Sequence, residues 1–253
     1  IYLMEWYFYP AVIAIGLVAG IINTLSAGGS LLVLPFLMAF GLDPNLANGT
    51  NRIAIFFQTL VGVKGFHQEK VLDLKQGLKI GWPAVAGAIA GAFIAVSFNE
   101  EAMKKAIGLI LLLMFFVILL RPNRWLNSHE SHPPFPYWLQ VIIFFFIGIY
   151  GGFIQAGVGF FLLTGLVLAS GFELVKANAL KLLITLLYTP IALLIFFMNG
   201  HVDIWIGLLL SVGQMGGAWL GTRIAIKWGA KIIRWFLLIA LLISAVMMIT
   251  NNL

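Results

Sequence analysis

Residues 16–30 read Gly16-Leu17-Val18-Ala19-Gly20-Ile21-Ile22-Asn23-Thr24-Leu25-Ser26-Ala27-Gly28-Gly29-Ser30, and this stretch decides how the chain folds. An apolar run from Phe8 to Leu25 reaches the length that crosses a bilayer, then gives way to small and polar residues. Apolar sequence resumes at Ser30, but only eleven residues separate Gly29 from Gly41. As helix they rise about 16 Å, roughly half of the hydrocarbon core. Backbone that leaves helix at membrane depth must be buried in protein or line a wet cavity, because lipid offers its N–H and C=O groups no partner. A second interruption, Gln155-Ala156-Gly157-Val158-Gly159, lies between apolar Tyr137–Ala156 and the short run Phe160–Ser170. Paired, glycine-interrupted short segments at matching positions point to a transport site. Each long–short pair is either two spans or a re-entrant hairpin, and the sequence leaves both open.

The composition agrees with a membrane solvent. Of 253 residues, 62% are apolar and 9% charged, and the mean hydropathy is +1.04. A soluble surface needs more polar residues than that. The expected class is an all-α polytopic membrane protein with room for about eight to ten apolar segments. There is no cysteine, which excludes a disulfide framework, a thiolate metal site and a thiol nucleophile. The chain opens Ile1-Tyr2-Leu3-Met4-Glu5, without a basic n-region, so no cleavable signal peptide is expected. The net charge of +6 is scattered through short loops rather than gathered on a soluble face, which argues for membrane orientation and against nucleic acid.

The chain repeats itself. Five segments (Phe8–Leu25, Ser30–Phe40, Asn51–Phe66, Gln76–Phe98, Ala102–Leu120) are followed by five counterparts (Tyr137–Ala156, Phe160–Ser170, Ala177–Met198, Asp203–Ile226, Ala230–Thr250). At an offset of 132, Gly16 meets Gly148, Gly20 meets Gly152 and Asn23 meets Gln155. At 130, Gly41 meets Gly171, Ala47-Asn48 meets Ala177-Asn178, Asp73 meets Asp203, and Gly87 and Gly91 meet Gly217 and Gly221. If the loop holding Lys64, Lys70, Lys75 and Lys79 is cytoplasmic, twelve of the fifteen Lys and Arg fall on that side, leaving Arg52, Lys104 and Lys105 elsewhere. The halves then run in opposite directions: residues 1–120 form a first repeat, 121–136 a cytoplasmic linker, and 137–253 a second, inverted repeat. Both ends of the chain are expected on the non-cytoplasmic side of the cell membrane.

Arg52 and Lys181 are the leading site candidates, since an ionisable residue inside a span marks function by default. One or both would neutralise an anion, with Asn48, Thr50, Asn51 and Asn178 donating hydrogen bonds. The structural alternative is that both side chains snorkel to the headgroups. The two interruptions, with Asn23, Ser26, Gly28, Gly29 and Ser30 in one half and Gln155, Gly157 and Gly159 in the other, would aim N–H groups at the same anion. The Gly-x-x-x-Gly pairs read instead as helix contacts. His67, His129, His132 and His201 fall in loops, with His129-x-x-His132 a weak metal possibility. Trp6, Trp82, Trp125, Trp138, Trp205 and Trp228 read as interfacial anchors, and Pro35, Pro83 and Pro190 as kinks.

Gly16-x-x-x-Gly20-x-x-Asn23, Gly28-Gly29-Ser30, Pro35, Gly41-x-x-Pro44 and Ala47-Asn48-Gly49-Thr50-Asn51-Arg52 resemble the first-half signature of the TauE/SafE sulfite exporter family. Gly151-Gly152-Phe153, Gly157-Val158-Gly159-Phe160 and Ala177-Asn178-Ala179-Leu180-Lys181 are similar to its second half. The resemblance covers essentially the whole chain and implies a permease for sulfite, sulfonates or related small organosulfur anions. The expected function is therefore anion transport by alternating access between inverted repeats, with no cofactor or metal, the bilayer and a small anion as partners, and a homo-oligomer possible. An anion channel is the nearest alternative. An intramembrane enzyme is the remote one, since no nucleophile and base lie together at membrane depth.

Overall fold

The computed structural model describes residues 8–25, 28–120 and 134–250. Within them the chain is helical: α1 Phe8–Leu25, α2 Gly29–Ala39, α3 Pro44–Gln68, α4 Leu74–Val96, α5 Glu100–Leu120, α6 Tyr137–Phe153, α7 Val158–Thr164 continued by a π-helical turn Gly165–Ala169, α8 Leu174–Met198 and α9 Ile204–Thr250. Four described helices are long and apolar enough to cross a membrane: α1, α4, α8 and the first part of α9, Ile204–Trp228.

Local chemistry sets the helix starts. Asp43 caps α3 by accepting from the Leu46 N–H at 2.8 Å, with Pro44 as the first helical residue. Asp73 and Asp203 cap α4 and α9 through the N–H groups of Gln76 and Ile206 at 3.0 and 2.9 Å. The repeat spacing survives in the helices: α3 and α8 are each 25 residues long and start 130 residues apart, at Pro44 and Leu174. Gly41 and Gly171, paired in the sequence, both adopt positive φ, 90° and 72°, where a side chain would be strained.

Two boundaries differ from the sequence reading. α3 begins at Pro44 rather than Asn51, because the polar turns containing Asn45, Asn48 and Thr50 are buried in protein and continue the helix. The expected ninth and tenth segments are one helix, α9, which runs through Lys227-Trp228-Gly229-Ala230. The first half breaks at the matching place because Asn99 accepts from the Ala102 N–H at 2.8 Å and starts α5 afresh. The second half has no Ser, Thr, Asp, Asn or Pro there to do so. His67 also lies in the last turn of α3 rather than in a loop.

Both short segments fold back along the helix that precedes them. α2 folds back along α1: Gly29 lies against the Ala19 carbonyl and the Asn23 side chain, and the rings of Phe8 and Phe40 stand 5.0 Å apart at the other end. α7 folds back along α6 likewise, with Val158 beside Gly151, Tyr150 and Phe161 rings 5.0 Å apart, and the Phe135 N–H donating to the Ala169 carbonyl at 2.8 Å.

Each hairpin's long helix packs on the other half. α1 runs parallel to α9, Gly16 lying against Leu210 and Gln214, and Gly217 against Leu17 and Ile21. α6 runs parallel to α4, Gly148 against Ala84 and Gly152 against Ala88. At these glycines a Cβ would meet a neighbouring backbone, so the small residues set the close approach. α3 and α8 cross antiparallel at the centre, with Arg52 beside Phe196 and Gly62 beside Leu182.

Candidate functional site between the hairpin tips

α6 ends inside the protein, where its last carbonyls have no intrahelical donor. α3 supplies donors. Fully buried Arg52 gives Nη1–H to the Gly151 carbonyl (3.2 Å) and the Gln155 Oε1 (3.0 Å), and Nη2–H to the carbonyls of Gly152 (2.6 Å) and Phe153 (3.5 Å). Its guanidinium lies 4.4 Å from the centre of the Phe196 ring, a cation–π contact. One turn earlier Asn48 Nδ2 donates to the Phe153 carbonyl at 2.8 Å. A cation at a helix C-terminus also meets the negative end of the helix dipole.

α8 treats the end of α1 in the same way. Asn178 Nδ2 donates to the Thr24 carbonyl at 2.7 Å, and Lys181 Nζ to the Asn23 carbonyl at 2.8 Å. Lys181 is 2% exposed and Arg52 fully buried, so neither snorkels to a headgroup. Each half's third helix thus holds the first hairpin helix of the other half, through repeat-related asparagines and a cation.

The tips are also held within their own halves, again at matching positions. Asn23 Nδ2 donates to Gln58 Oε1 at 3.1 Å, and Gln155 Nε2 to the Tyr188 hydroxyl at 3.1 Å. Asn23 pairs with Gln155 at the offset of 132, and Gln58 with Tyr188 at 130. Asn23 Oδ1 accepts the Gly29 N–H at 2.8 Å, fixing the first residue of α2. Gly157, at φ 76°, turns the chain into α7.

Between the tips is a cavity of about 30 Å³, lined by Asn23 and Ser30 of the first hairpin, Gln155, Val158 and Gly159 of the second, Ile55, Gln58 and Thr59 of α3, and Lys181, Leu182 and Thr185 of α8. Lys181 is the charged residue in this lining, which includes no carboxylate. Thr59 and Thr185 direct their hydroxyl protons to backbone carbonyls, Ile55 and Phe56 for the first and Lys181 for the second.

Of the residues named from sequence, Asn23, Ser30, Gln155, Gly159 and Lys181 meet around this cavity. Asn48, Arg52 and Asn178 are not in its lining; the two asparagines donate to helix-end carbonyls, and Arg52 to three such carbonyls and to Gln155 Oε1. Thr50 accepts the Asp203 N–H at 2.9 Å and so helps start α9, and Asn51 accepts from Gln214 Nε2 at 3.3 Å. Gly28 and Gly157 form the turns before α2 and α7. Ser26 and linker residues 121–133, with His129 and His132, lie outside the described residues. Gln58, Thr59 and Thr185 were missed. Helical spacing offered only a weak signal for Thr185, which shares one face of α8 with Lys181 and Tyr188 at i, i+4 and i+7, and none for Gln58 and Thr59.

Away from this polar centre the helices turn large apolar side chains outward. Leu78, Phe93, Phe146, Leu194, Phe197 and Val212 are all exposed, on a scale that water-soluble surfaces avoid and a bilayer requires. A polar, cation-bearing interior inside an apolar exterior defines a polytopic α-helical membrane transporter. The chain belongs to the sulfite exporter TauE/SafE family, whose family model matches residues 12–248. It is 30% identical over 92% of its length to the probable membrane transporter protein YfcA of Escherichia coli K12, covering 85% of that protein. A probable membrane transporter protein of a Sinorhizobium species is 28% identical over 92% of this chain and 89% of its own length. One from Haemophilus influenzae is 25% identical over 87% and 86%. No solved structure matches.

Proposed function

We propose that this transporter carries a small oxyanion, sulfite or a sulfonate or related organosulfur anion, by alternating access across the cell membrane, binding it between the hairpin tips with Lys181 as counter-ion. The observation that carries the reading is the Lys181 ammonium, buried beside a polar cavity to which both halves contribute and no carboxylate does. An ammonium held at membrane depth on the wall of a polar cavity attracts an anionic ligand there. Asn23, Ser30 and Gln155 supply neutral polar groups around the anion. The family's description points to sulfur oxyanions among the anions this chemistry would accept.

The cavity has room for roughly one or two water molecules, less than an oxyanion needs. The described arrangement therefore corresponds to a closed form, and binding an oxyanion separates the tips. The antiparallel crossing of α3 and α8 and the reciprocal packing of α1 on α9 and α6 on α4 support two inverted repeats, 1–120 and 137–253, joined by a cytoplasmic linker, 121–136. Repeats of this kind rock about a central site.

The test is uptake by purified protein in liposomes of sulfite, methanesulfonate, sulfate and thiosulfate. The reading expects saturable uptake of at least one, with Lys181→Gln raising its KM while the protein remains folded. Wild-type kinetics in Lys181→Gln would remove Lys181 from the site, and no uptake of any member would overturn the substrate class.

A further inference from the structure

The side-chain amide of a glutamine has one accepting end and one donating end, and which end faces a ligand decides whether an anion is welcome. At the second tip the neighbour settles the question. Arginine has donors only and no acceptor, and Arg52 Nη1 lies 3.0 Å from the Gln155 amide. The oxygen of Gln155 must therefore face Arg52, and its NH₂ group must face the other way. One of those two N–H bonds reaches the Tyr188 hydroxyl at 3.1 Å, and the amide lines the cavity. Arg52 does not line the cavity, and its Nη groups are directed to Gln155 and to the carbonyls of Gly151, Gly152 and Phe153.

The first tip is set the same way by a different group. The backbone N–H of Gly29 can only donate, and Asn23 Oδ1 accepts it at 2.8 Å. Asn23 Nδ2 is thereby turned toward Gln58 Oε1 and, at 3.5 Å, the Ser30 hydroxyl. At both tips a fixed donor occupies the accepting end of the amide, which leaves its donating end for Gln58 and Ser30 at the first and for Tyr188 at the second, and both amide residues line the cavity with Lys181.

We propose that Arg52 is a positioning residue for anion recognition: without touching the substrate, it locks Gln155 so that the second tip presents an N–H donor to the oxyanion. This rests on the binding site proposed above and names how that site selects charge. It accounts for an arginine here, since a flat guanidinium can hold the Gln155 oxygen and three carbonyls of α6 at once, which an ammonium cannot. It also predicts the ligand's chemistry: a compact anion whose oxygens accept, such as sulfite or a sulfonate, in preference to a ligand that presents its own N–H donors at this tip.

A double-mutant cycle on sulfite uptake in proteoliposomes tests it, with thiosulfate as the probe if sulfite is not carried. Gln155→Ala and Arg52→Gln are each expected to raise KM about tenfold, the effect of one lost hydrogen bond to a charged ligand. In the Gln155→Ala background, Arg52→Gln should then leave KM unchanged, since there is no amide left to orient. Additive KM effects would overturn the proposal, because direct contact with the anion or a general loss of packing does not depend on Gln155. If Arg52→Gln does not fold, Gln155→Glu decides. Its carboxylate would pair with Arg52, keep the tip in place and present no donor, so the protein should fold while sulfite KM rises more than tenfold. Near-wild-type KM in a folded Gln155→Glu protein would equally overturn it. Wild-type uptake that depends on Lys181, accompanied by an additive cycle, would sink this inference alone. Absence of all oxyanion uptake would sink the proposed function with it.

Discussion

Lys181 and Arg52 sit one residue apart in the repeat register. The mate of Lys181 at the offset of 130 is Asn51, and the mate of Arg52 is Leu182. One cation per half has thus been placed on different faces, and the two do different work: Arg52 closes off the end of α6, whereas Lys181 holds the end of α1 and borders the cavity. A charge-assisted hydrogen bond to a buried anion contributes about 1.5–3 kcal/mol, so Lys181→Gln is expected to raise the KM of oxyanion uptake roughly ten- to hundredfold. Lys181→Arg should not restore it, because the planar guanidinium needs more room than a cavity walled by Leu182 and Thr185 leaves. Uptake kinetics of the three proteins at matched reconstitution check both statements. Both cations were legible in the sequence, since charge inside an apolar run is expensive and therefore conspicuous. Gln58 and Thr185 were not, because a single neutral polar residue in such a run looks the same whether it faces a cavity or bonds its own helix.

Between elements, glycine spacing decides how closely helices approach. Gly87 of α4 lies against the Phe145 carbonyl and the Ile149 N–H of α6, whereas a Cβ on Gly108 of α5 would meet nothing within 4 Å. Gly87→Ala should therefore force α4 from α6 and destabilise the protein by about 1–3 kcal/mol, the usual cost of overpacking. Gly108→Ala should leave the melting temperature in detergent within error of wild type. Equal melting temperatures for the two variants would mean that α4 and α6 do not pack as described. Helix contacts of this kind were readable from Gly-x-x-x-Gly pairs alone, because that pattern encodes the contact directly. Helix starts were less so. α3 was placed seven residues late since Asn45, Asn48 and Thr50 read as loop, and only burial against the α4–α5 turn, α6 and the start of α9 makes them helix. Two spans and a re-entrant hairpin could not be told apart from sequence, because both return the chain to its side of origin and leave the same charge distribution.

At the scale of the whole molecule, the halves meet along α1 and α9, along α4 and α6, and where α3 crosses α8, and rocking must shear the crossing. The absence of cysteine gives a clean background for trapping it. Gly62 and Leu182 face each other across the crossing, so a double cysteine substitution there should cross-link under mild oxidation and stop uptake, with reductant restoring it. A pair within one hairpin, at Gln140 and Ser170, whose side chains hydrogen-bond at 2.9 Å, should cross-link and leave uptake intact, since the hairpin moves as a unit. Uptake unaffected by the first cross-link would argue for a channel rather than a carrier.

The last prediction concerns α9. Forty-seven residues of continuous helix would measure about 70 Å, more than twice the hydrocarbon core of roughly 30 Å. Its first part packs along α1 and ends near Arg223, whose guanidinium lies 3.8 Å from the Trp219 ring. Lys79 stands 4.7 Å from the Tyr137 ring, and Lys176 lies 5.4 Å from Phe172. Basic and aromatic residues side by side mark an interface with water, which the positive-inside rule predicts to be the cytoplasmic one. Beyond it, Ala230–Thr250 is apolar throughout apart from Lys231, Arg234, Ser244 and the closing Thr250. Such a segment is far more stable in lipid than in cytoplasm. Although α9 is continuous in the structure described, in a bilayer it is expected to bend back at Trp228-Gly229 and cross again, which would return the C-terminal end to the non-cytoplasmic side. A reporter fused after Leu253 is expected to read non-cytoplasmic, as is one placed before Phe8. A cytoplasmic signal from the C-terminal fusion, with the N-terminal one outside, would mean that α9 crosses once. The second half would then lack the crossing that α5 supplies in the first, and the proposed inverted repeat would fail.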